Sequence, residues 1–414
     1  MLSDKERGLL AESSEQELIE LIAALVRIDS VFRPESGRTE RDVVAFVRDW
    51  IRREVGVEPI IDEAAPGRDN VSFTIDSGRP GPTLLLEGHS DVVSEGDPES
   101  WTRPPFSGEV EGRRLYGRGS CDMKAGVAIN LLVARAFARH SADFHGKLKL
   151  CLVCDEEGMM IGIKDFIRRG RADSVDACLV SEPEDNELCI SMKGAIRAAV
   201  KVTGRMAHGA MPLLGINPSV HMARIILAIE AYEKAEKRRL GEDELLGWPS
   251  LTFTTVQAPP PGETAQFNVM PRDCLGYLDI RTVTGQDHEK IKADLRRILA
   301  EFAAADPDFK AKIEFFEERP CVSMGRDEPI AAIAAGAYHD ITGRKPVFDG
   351  VPGATDGTFL CSLKGIPCLV NGPGPRLIPH HVDEYVDLDQ AWEAYRWYLV
   401  IARRFLGGLD GGSR

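Results

Sequence analysis

No run of eighteen apolar residues occurs anywhere in the 414-residue chain, which argues against a membrane-spanning helix. Basic residues are the minority charge, 51 Lys and Arg against 65 Asp and Glu, for a formal net charge of −14. That balance argues against a nucleic-acid surface and a membrane partner and suits a soluble cytoplasmic protein, with room only for local cationic pockets. The opening residues, MLSDKERGLLAESSEQ, lack the basic-then-apolar pattern of a secretory signal. Repeats are absent, and low complexity is confined to a Gly-rich tail, GGLDGGSR. The nine cysteines follow no framework and sit mostly in apolar stretches, as free thiols in a reducing compartment would. Cys151 and Cys154 lie in a strand-like segment, KLKLCLVCDEE. Three residues apart on a strand they face opposite ways, so they cannot chelate one ion.

The hydrophobic fraction of 43% and charged fraction of 28% are those of an ordinary soluble enzyme, and the length predicts two or three domains. SEQELIELIAALVRI and RDVVAFVRDWIRREVG space their apolar residues as amphipathic helices do. PTLLLEG, KLKLCLVC and DACLVS are strand-length apolar runs, and between the first two lies a long helix candidate, DMKAGVAINLLVARAFARH. This alternation predicts an α/β domain with a largely parallel mixed sheet and helices on both faces. After Lys193 the pattern changes. AIRAAVKVTGR and QFNVMPRDCLGYLDIRTVTG alternate apolar and polar positions, with helices such as PSVHMARIILAIEAYEKAEKRR among them, the pattern of an α+β insert. The alternation resumes near DEPIAAIAAGAYHDITG. The expected organisation is a discontinuous domain of residues 1–194 and 319–414 with a second domain, 195–318, inserted.

In open α/β sheets ligands collect beyond the carboxyl ends of the strands. Here TLLLEG runs into His89 and Asp91, KLCLVC into Asp155, Glu156 and Glu157, and ACLVS into Glu182, while Asp122 precedes the long helix. Each has an ordinary reading alone: a hydrogen-bonded histidine, a solvated DEEG turn, a helix N-cap, a strand exit. Together they concentrate acids at one rim of the sheet, where mutual repulsion demands cations. The chemistry suggests that His89 and Glu182 hold one ion, Glu157 and a distant histidine another, and that Asp122 bridges the two. Bridged ions about 3.5–4 Å apart generate hydroxide from a shared water, and zinc accepts such nitrogen and carboxylate ligands, with cobalt and manganese as alternatives. Asp91 fits as the carboxylate that receives the other ring N–H of His89. Of Glu156 and Glu157, one binds metal and the other moves the water's proton. IPHHVDEYVD offers His380 and His381 for the remaining position, while His140, His145, His221 and His288 lie on or beside helices. HEKIK lacks the second histidine of a single-zinc protease helix, and GRGSCDMKAG lacks the third glycine of a dinucleotide fingerprint.

GHSDVV, WTRPPFSGEVEGRRLYGRGSCDMKAG, DEEGM, SEP, GRMAHGAMPLLGINP, PGATDGTF and HHVDEYV resemble, across nearly the whole chain, the cocatalytic-zinc aminoacylase and carboxypeptidase superfamily. That group includes acetylornithine deacetylase, succinyl-diaminopimelate desuccinylase and the glutamate carboxypeptidases. The resemblance implies that His89, Asp122 and Glu182 hold one metal and Asp122, Glu157 and His380 the other. His380 is preferred because the family ligand precedes a glutamate, here Glu384, by four residues. Glu156 resembles the general base and Asp91 its orienting carboxylate, and a cis peptide is implied at Asp122–Met123. The insert resembles a lid that also forms a homodimer. His208 then stabilises the oxyanion in a partner's site, Asn268 and Arg281 bind a substrate carboxylate, and Gly353 and Thr355 line the substrate site. The implied activity is metal-dependent hydrolysis of the amide of an N-acyl amino acid. A carboxypeptidase or dipeptidase of the same group, and a non-catalytic binding member of the fold, are the competing expectations.

Overall fold

The computed structural model describes residues 2–407, so the Gly-rich tail lies, from residue 408, outside the described residues. The chain divides into two compact units. One comprises the residues up to Ile190, Met324–Val351 and those from Thr355 onward; the other comprises Ser191–Ser323 with Pro352–Ala354.

The first unit is built on the short apolar runs. Thr83–His89, Ala177–Val180 and Cys368–Val370 are buried at every position, as strands covered on both faces must be. Thr83–His89 runs parallel to Lys147–Val153 on one side and to Ala177–Val180 on the other, and Ala177–Val180 is parallel to Cys368–Val370. Antiparallel strands flank this centre. Arg68–Asp76 and Ile60–Ala65 extend one side, and Leu188–Met192 pairs beyond Cys368–Val370. The result is a mixed sheet whose middle four strands are parallel.

The helix Ala125–Arg139 is buried from Ala125 to Phe137, because it packs against sheet strands and against the helices Glu15–Val26 and Leu388–Phe405. Its Gly126 allows the closest approach: a Cβ there would stand 2.4 Å from the Ser181 carbonyl oxygen. That contact brings the start of the helix to the strand end that precedes Glu182. The helical pattern predicted from Asp122 begins only at Ala125. The preceding Ser120–Lys124 forms a tight turn with non-helical dihedrals at Asp122 and Met123, and the Asp122–Met123 peptide is cis.

The second unit holds a four-stranded antiparallel sheet in the order Ser250–Gln257, Asp273–Thr282, Gly194–Thr203, Ala311–Arg319. Ile196, Ala198, Val200 and Val202 turn one face inward against Met222, Ile225, Ile291 and Leu295 of the helices Pro218–Leu240 and His288–Ala305. Period-two alternation thus gives this unit a core of its own. A separate pair of two-residue strands joins Ala207–His208 to Val269–Met270. Among the described residues no helix is long and apolar enough to cross a membrane.

Candidate metal centre

Three strand ends and two loops of the first unit converge. His89 is the last residue of its strand, Glu182 follows the strand Ala177–Val180 by two residues, and Glu157 lies in the turn after Lys147–Val153. His89 Nε2 stands 3.1 Å from Asp122 Oδ1 and 3.6 Å from Glu182 Oε1. His380 Nε2 stands 3.3 Å from Asp122 Oδ2 and 3.0 Å from Glu157 Oε2. The two oxygens of Asp122 are therefore divided between two clusters, His89–Asp122–Glu182 and Asp122–Glu157–His380, in each of which the donor atoms lie within 4.8 Å of one another. Zinc at about 2.0–2.2 Å from nitrogen and oxygen ligands in a tetrahedron separates those ligands by about 3.4 Å. The observed spacings match that figure, so the donor set fits a divalent ion in each cluster. His381 is exposed and takes no part in either.

The electrostatics point the same way. Burial, then the charge of Asp122, pushes Glu182 up to about 8 and Glu157 up to about 7. Burial, followed by repulsion from Glu182, pushes Glu156 well above the usual carboxylate range. Burial would also raise Asp122, but hydrogen bonds from His380 and His89 outweigh it and hold its carboxyl low. Hydrogen bonds to Asp122 and Glu157 push His380 up to about 10. Burial resists protonation of His89, yet the charge of Glu182 and the bond to Asp122 carry it well up. Carboxyls crowded at this spacing repel one another when ionised, and cations between them would relieve that repulsion.

Asp91 differs from expectation. His89 Nδ1 donates to the backbone carbonyl of Asp91 at 3.0 Å, while the nearer carboxylate oxygen is 3.8 Å away. The carboxylate is occupied elsewhere: Oδ1 accepts from the Glu156 amide and Oδ2 from the Glu157 amide, both at 3.2 Å. Asp91 thus fixes the imidazole with its main chain and the Glu156–Glu157 turn with its side chain.

In the second unit, the pairing of His208 with Val269 sets His208 beside Asn268, and the Gly209 amide donates to the Asn268 carbonyl at 2.7 Å. Both residues are exposed. Arg281 sits on the strand Asp273–Thr282 with its guanidinium turned to the Asp279 carboxylate, Nε at 2.7 Å and Nη2 at 3.2 Å. Gly353 is half-buried. Thr355 is buried, and its hydroxyl accepts from the Gly357 amide at 3.2 Å, at the start of the helix Gly357–Lys364.

Sequence reasoning missed the buried charges that surround the two clusters. Arg68 pairs with Glu40 and with Asp155, and Asp155 in turn accepts from the Met159 amide at 3.0 Å, which fixes the far end of the Glu156–Glu157 turn. Glu87, two residues before His89, is buried and pushed up to about 8 by burial first and Glu182 second. Arg118 pairs with Glu384. Only an arginine amid the glycines of YGRGS gave any local signal, since the partners lie far apart in the chain.

Residues 85–404 match the profile of Peptidase family M20/M25/M40. A succinyl-diaminopimelate desuccinylase of Methylorubrum extorquens is 29% identical over 398 residues, 92% of this chain and 98% of that protein. Among solved structures, the M20 family metallo-carboxypeptidase Sso-CP2 from Sulfolobus solfataricus superposes with a TM-score of 0.78 at 18% identity, covering 94% of this chain and 99% of that one. The dipeptidase Dug1p from Saccharomyces cerevisiae gives 0.77 at 16% identity, covering 99% and 100%.

Proposed function

The chain belongs to peptidase family M20/M25/M40 and is a metal-dependent amidohydrolase, and from that premise we propose that it hydrolyses the amide bond of an N-acyl amino acid, with an N-succinyl amino acid as the first candidate. The observation that carries this reading is Asp122, which presents one carboxylate oxygen to each of two imidazole–carboxylate clusters beside the buried Glu156. Its similarity, over nearly the full length of both chains, to a protein named as a desuccinylase favours an acyl group over a peptide as the part removed.

We assign His89, Asp122 and Glu182 to one ion and Asp122, Glu157 and His380 to the other, with zinc the ion that suits imidazole and carboxylate together and cobalt and manganese the alternatives. Two such ions supply Lewis acidity toward the scissile carbonyl and make water acidic enough to ionise near neutral pH. Glu156 takes the water's proton on its carboxylate and returns it to the leaving amine. Asp91 keeps Glu156 in place through the amide it accepts from.

The second unit we read, on the resemblance, as a lid and homodimer surface. Met206, Met211, Leu213, Leu214 and Phe267 leave apolar side chains exposed on it, which supports a surface that another copy covers. His208 would supply the oxyanion donor to the partner subunit. Asn268 and Arg281 would take the substrate carboxylate, Arg281 exchanging Asp279 for it, and Gly353 and Thr355 would line the substrate site. The nine free cysteines support a reducing, cytoplasmic setting.

The test is amine release, with added zinc or cobalt, from N-succinyl and N-acetyl amino acids, including succinyl-diaminopimelate and acetylornithine, and from dipeptides. Deacylation is expected to exceed dipeptide cleavage in kcat/KM by roughly tenfold or more, about 1.4 kcal/mol of transition-state binding. Faster cleavage of dipeptides would move the assignment to a peptidase, and turnover of neither class would favour a non-catalytic binding member.

A further inference from the structure

Four of the five ligand side chains hang from strand ends or from the turn before a buried helix. His380 does not. It lies in the irregular stretch between the strands Cys368–Val370 and Tyr385–Asp387, with a positive φ of 68° and a side chain 52% exposed. Packing of its own side chain cannot set its position, so its backbone must be held.

The groups that hold it are Arg118 and Glu384, 2% and 0% exposed. Glu384 Oε1 accepts from the Cys121 amide at 2.9 Å and from the Asp122 amide at 3.0 Å. Its other oxygen accepts from Arg118 Nη1 at 2.5 Å, and Arg118 Nη2 donates to the His380 carbonyl at 3.3 Å. The Glu384 carbonyl accepts from the Gly117 amide at 2.9 Å, and the Trp101 ring lies 5.2 Å from the guanidinium carbon. One ion pair therefore joins the peptide that carries the shared ligand Asp122 to the peptide that carries His380. Arg118 Nε is buried without a hydrogen-bond partner. A buried pair that leaves a donor unmet gives little net stability over apolar packing, and its geometry goes into fixing two ligands relative to each other.

We propose that Arg118 and Glu384 are positioning residues that set the separation of His380 from Asp122, so that the Asp122–Glu157–His380 position depends on them and the His89–Asp122–Glu182 position does not depend on Arg118. The proposal rests on the two-ion reading of the site. His89 is fixed by its strand and by the Asp91 carbonyl, and Glu182 by the strand end before it, so neither needs the guanidinium. Lysine at position 118 keeps the charge beside Glu384 but cannot span both acceptors.

The experiment is calorimetric titration of the metal-stripped full chain with Co²⁺, together with the cobalt absorption spectrum at each equivalent. For Arg118→Lys, one ion is expected to bind as in the wild type and the other to weaken about 10–100-fold, the usual effect of removing a partner behind a ligand. His380→Ala should weaken the same ion, and Arg118→Lys on top of it should add little, because both act on one ligand. Equal weakening of both ions, no weakening, or full additivity with His380→Ala would overturn the proposal. If Arg118→Lys does not fold, as judged by circular dichroism, Glu384→Gln takes its place. It is expected to weaken both ions through Asp122, with the Asp122–Glu157–His380 ion losing more, and equal losses would count against the proposal. A wild-type chain that binds fewer than two ions would refute the reading of the site itself, a result distinct from any of these.

Discussion

At the scale of single residues, adjacent carboxylates are given different surroundings by where their backbone is held. Glu156 and Glu157 follow one another, yet Glu157 is drawn to His380 at 3.0 Å while Glu156 stays buried outside both clusters. The Asp91 carboxylate, accepting both amides, keeps the turn from interchanging them. Glu156→Gln is accordingly expected to bind both ions with unchanged stoichiometry and to lose about 10²–10⁴-fold in kcat, the usual contribution of a positioned general base. Asp91→Asn turns a donor toward one of the two amides and should cost about 10–100-fold. Metal analysis beside steady-state kinetics checks both, and a Glu156→Gln enzyme with near-normal kcat would remove Glu156 from the mechanism. Of the residues in the two clusters, His89, Glu157 and Glu182 were legible in the sequence because each stands at or just past the end of an apolar run, and Asp122 because it precedes a helix, whereas His380, in an irregular stretch, was preferred over His381 only on the family resemblance. The supporting ion pairs were not. Arg68 lies 87 positions from Asp155, and Arg118 266 positions from Glu384, and no local periodicity encodes such partners. Arg281 shows the converse. Its position could be read, but its engagement with Asp279, two residues earlier on the same strand, could not.

At the scale of elements, the runs with a clear period became the strands and helices they suggested, and the departures came where distant chain intervenes. The helix expected from Asp122 starts at Ala125 because Asp122 and Met123 hold non-helical dihedrals, with the Asp122 amide donating to Glu384. The three-stranded sheet of Glu109–Glu111, Arg114–Tyr116 and Tyr385–Asp387 escaped notice because its strands have only three residues each. The end of the helix Ala125–Arg139 shows how such joints respond to pH. His140 Nε2 meets Glu12 at 2.6 Å, and this bond, stronger than the opposing burial, raises His140 above its ordinary 6.5 and lowers Glu12 below its ordinary 4.5. The raised histidine contributes its stability below pH 6.5 and loses it as pH rises through its folded value. The lowered glutamate contributes above pH 4.5 and loses it as pH falls through its own. The pair should therefore stabilise most between those limits, by about 0.2–1 kcal/mol given its exposure to solvent. Urea denaturation of the wild type and His140→Ala is expected to show that difference near pH 5.5 and a smaller one at pH 9. An equal difference at both would mean that packing, not charge, holds the joint.

At the scale of the whole molecule, the two units differ in what they need in order to stay folded. Every residue of the two clusters belongs to the first unit, where carboxyls are pushed up by burial and by one another, so divalent ions bound there stabilise that unit by mass action. The second unit closes its own core of Ile196, Val200, Met222, Ile225, Leu278 and Leu295, and among the described residues it contributes no donor to either cluster. Removing the ions should then lower the melting of one unit and leave the other where it was. With free zinc at about a hundred times its Kd the stabilisation is about 2.7 kcal/mol, and at roughly 2–4 °C per kcal/mol for units of this size the shift is about 5–10 °C. Scanning calorimetry with and without chelator is expected to resolve a chelator-sensitive transition and a chelator-insensitive one, and the sensitive transition should move upward with added Zn²⁺ as the logarithm of its concentration. A single transition that moves as a whole would show that the units melt as one cooperative body. Two transitions that both ignore chelator would show that the acids at the rim of the sheet are neutralised by protons alone, and the two-ion reading would fall with them.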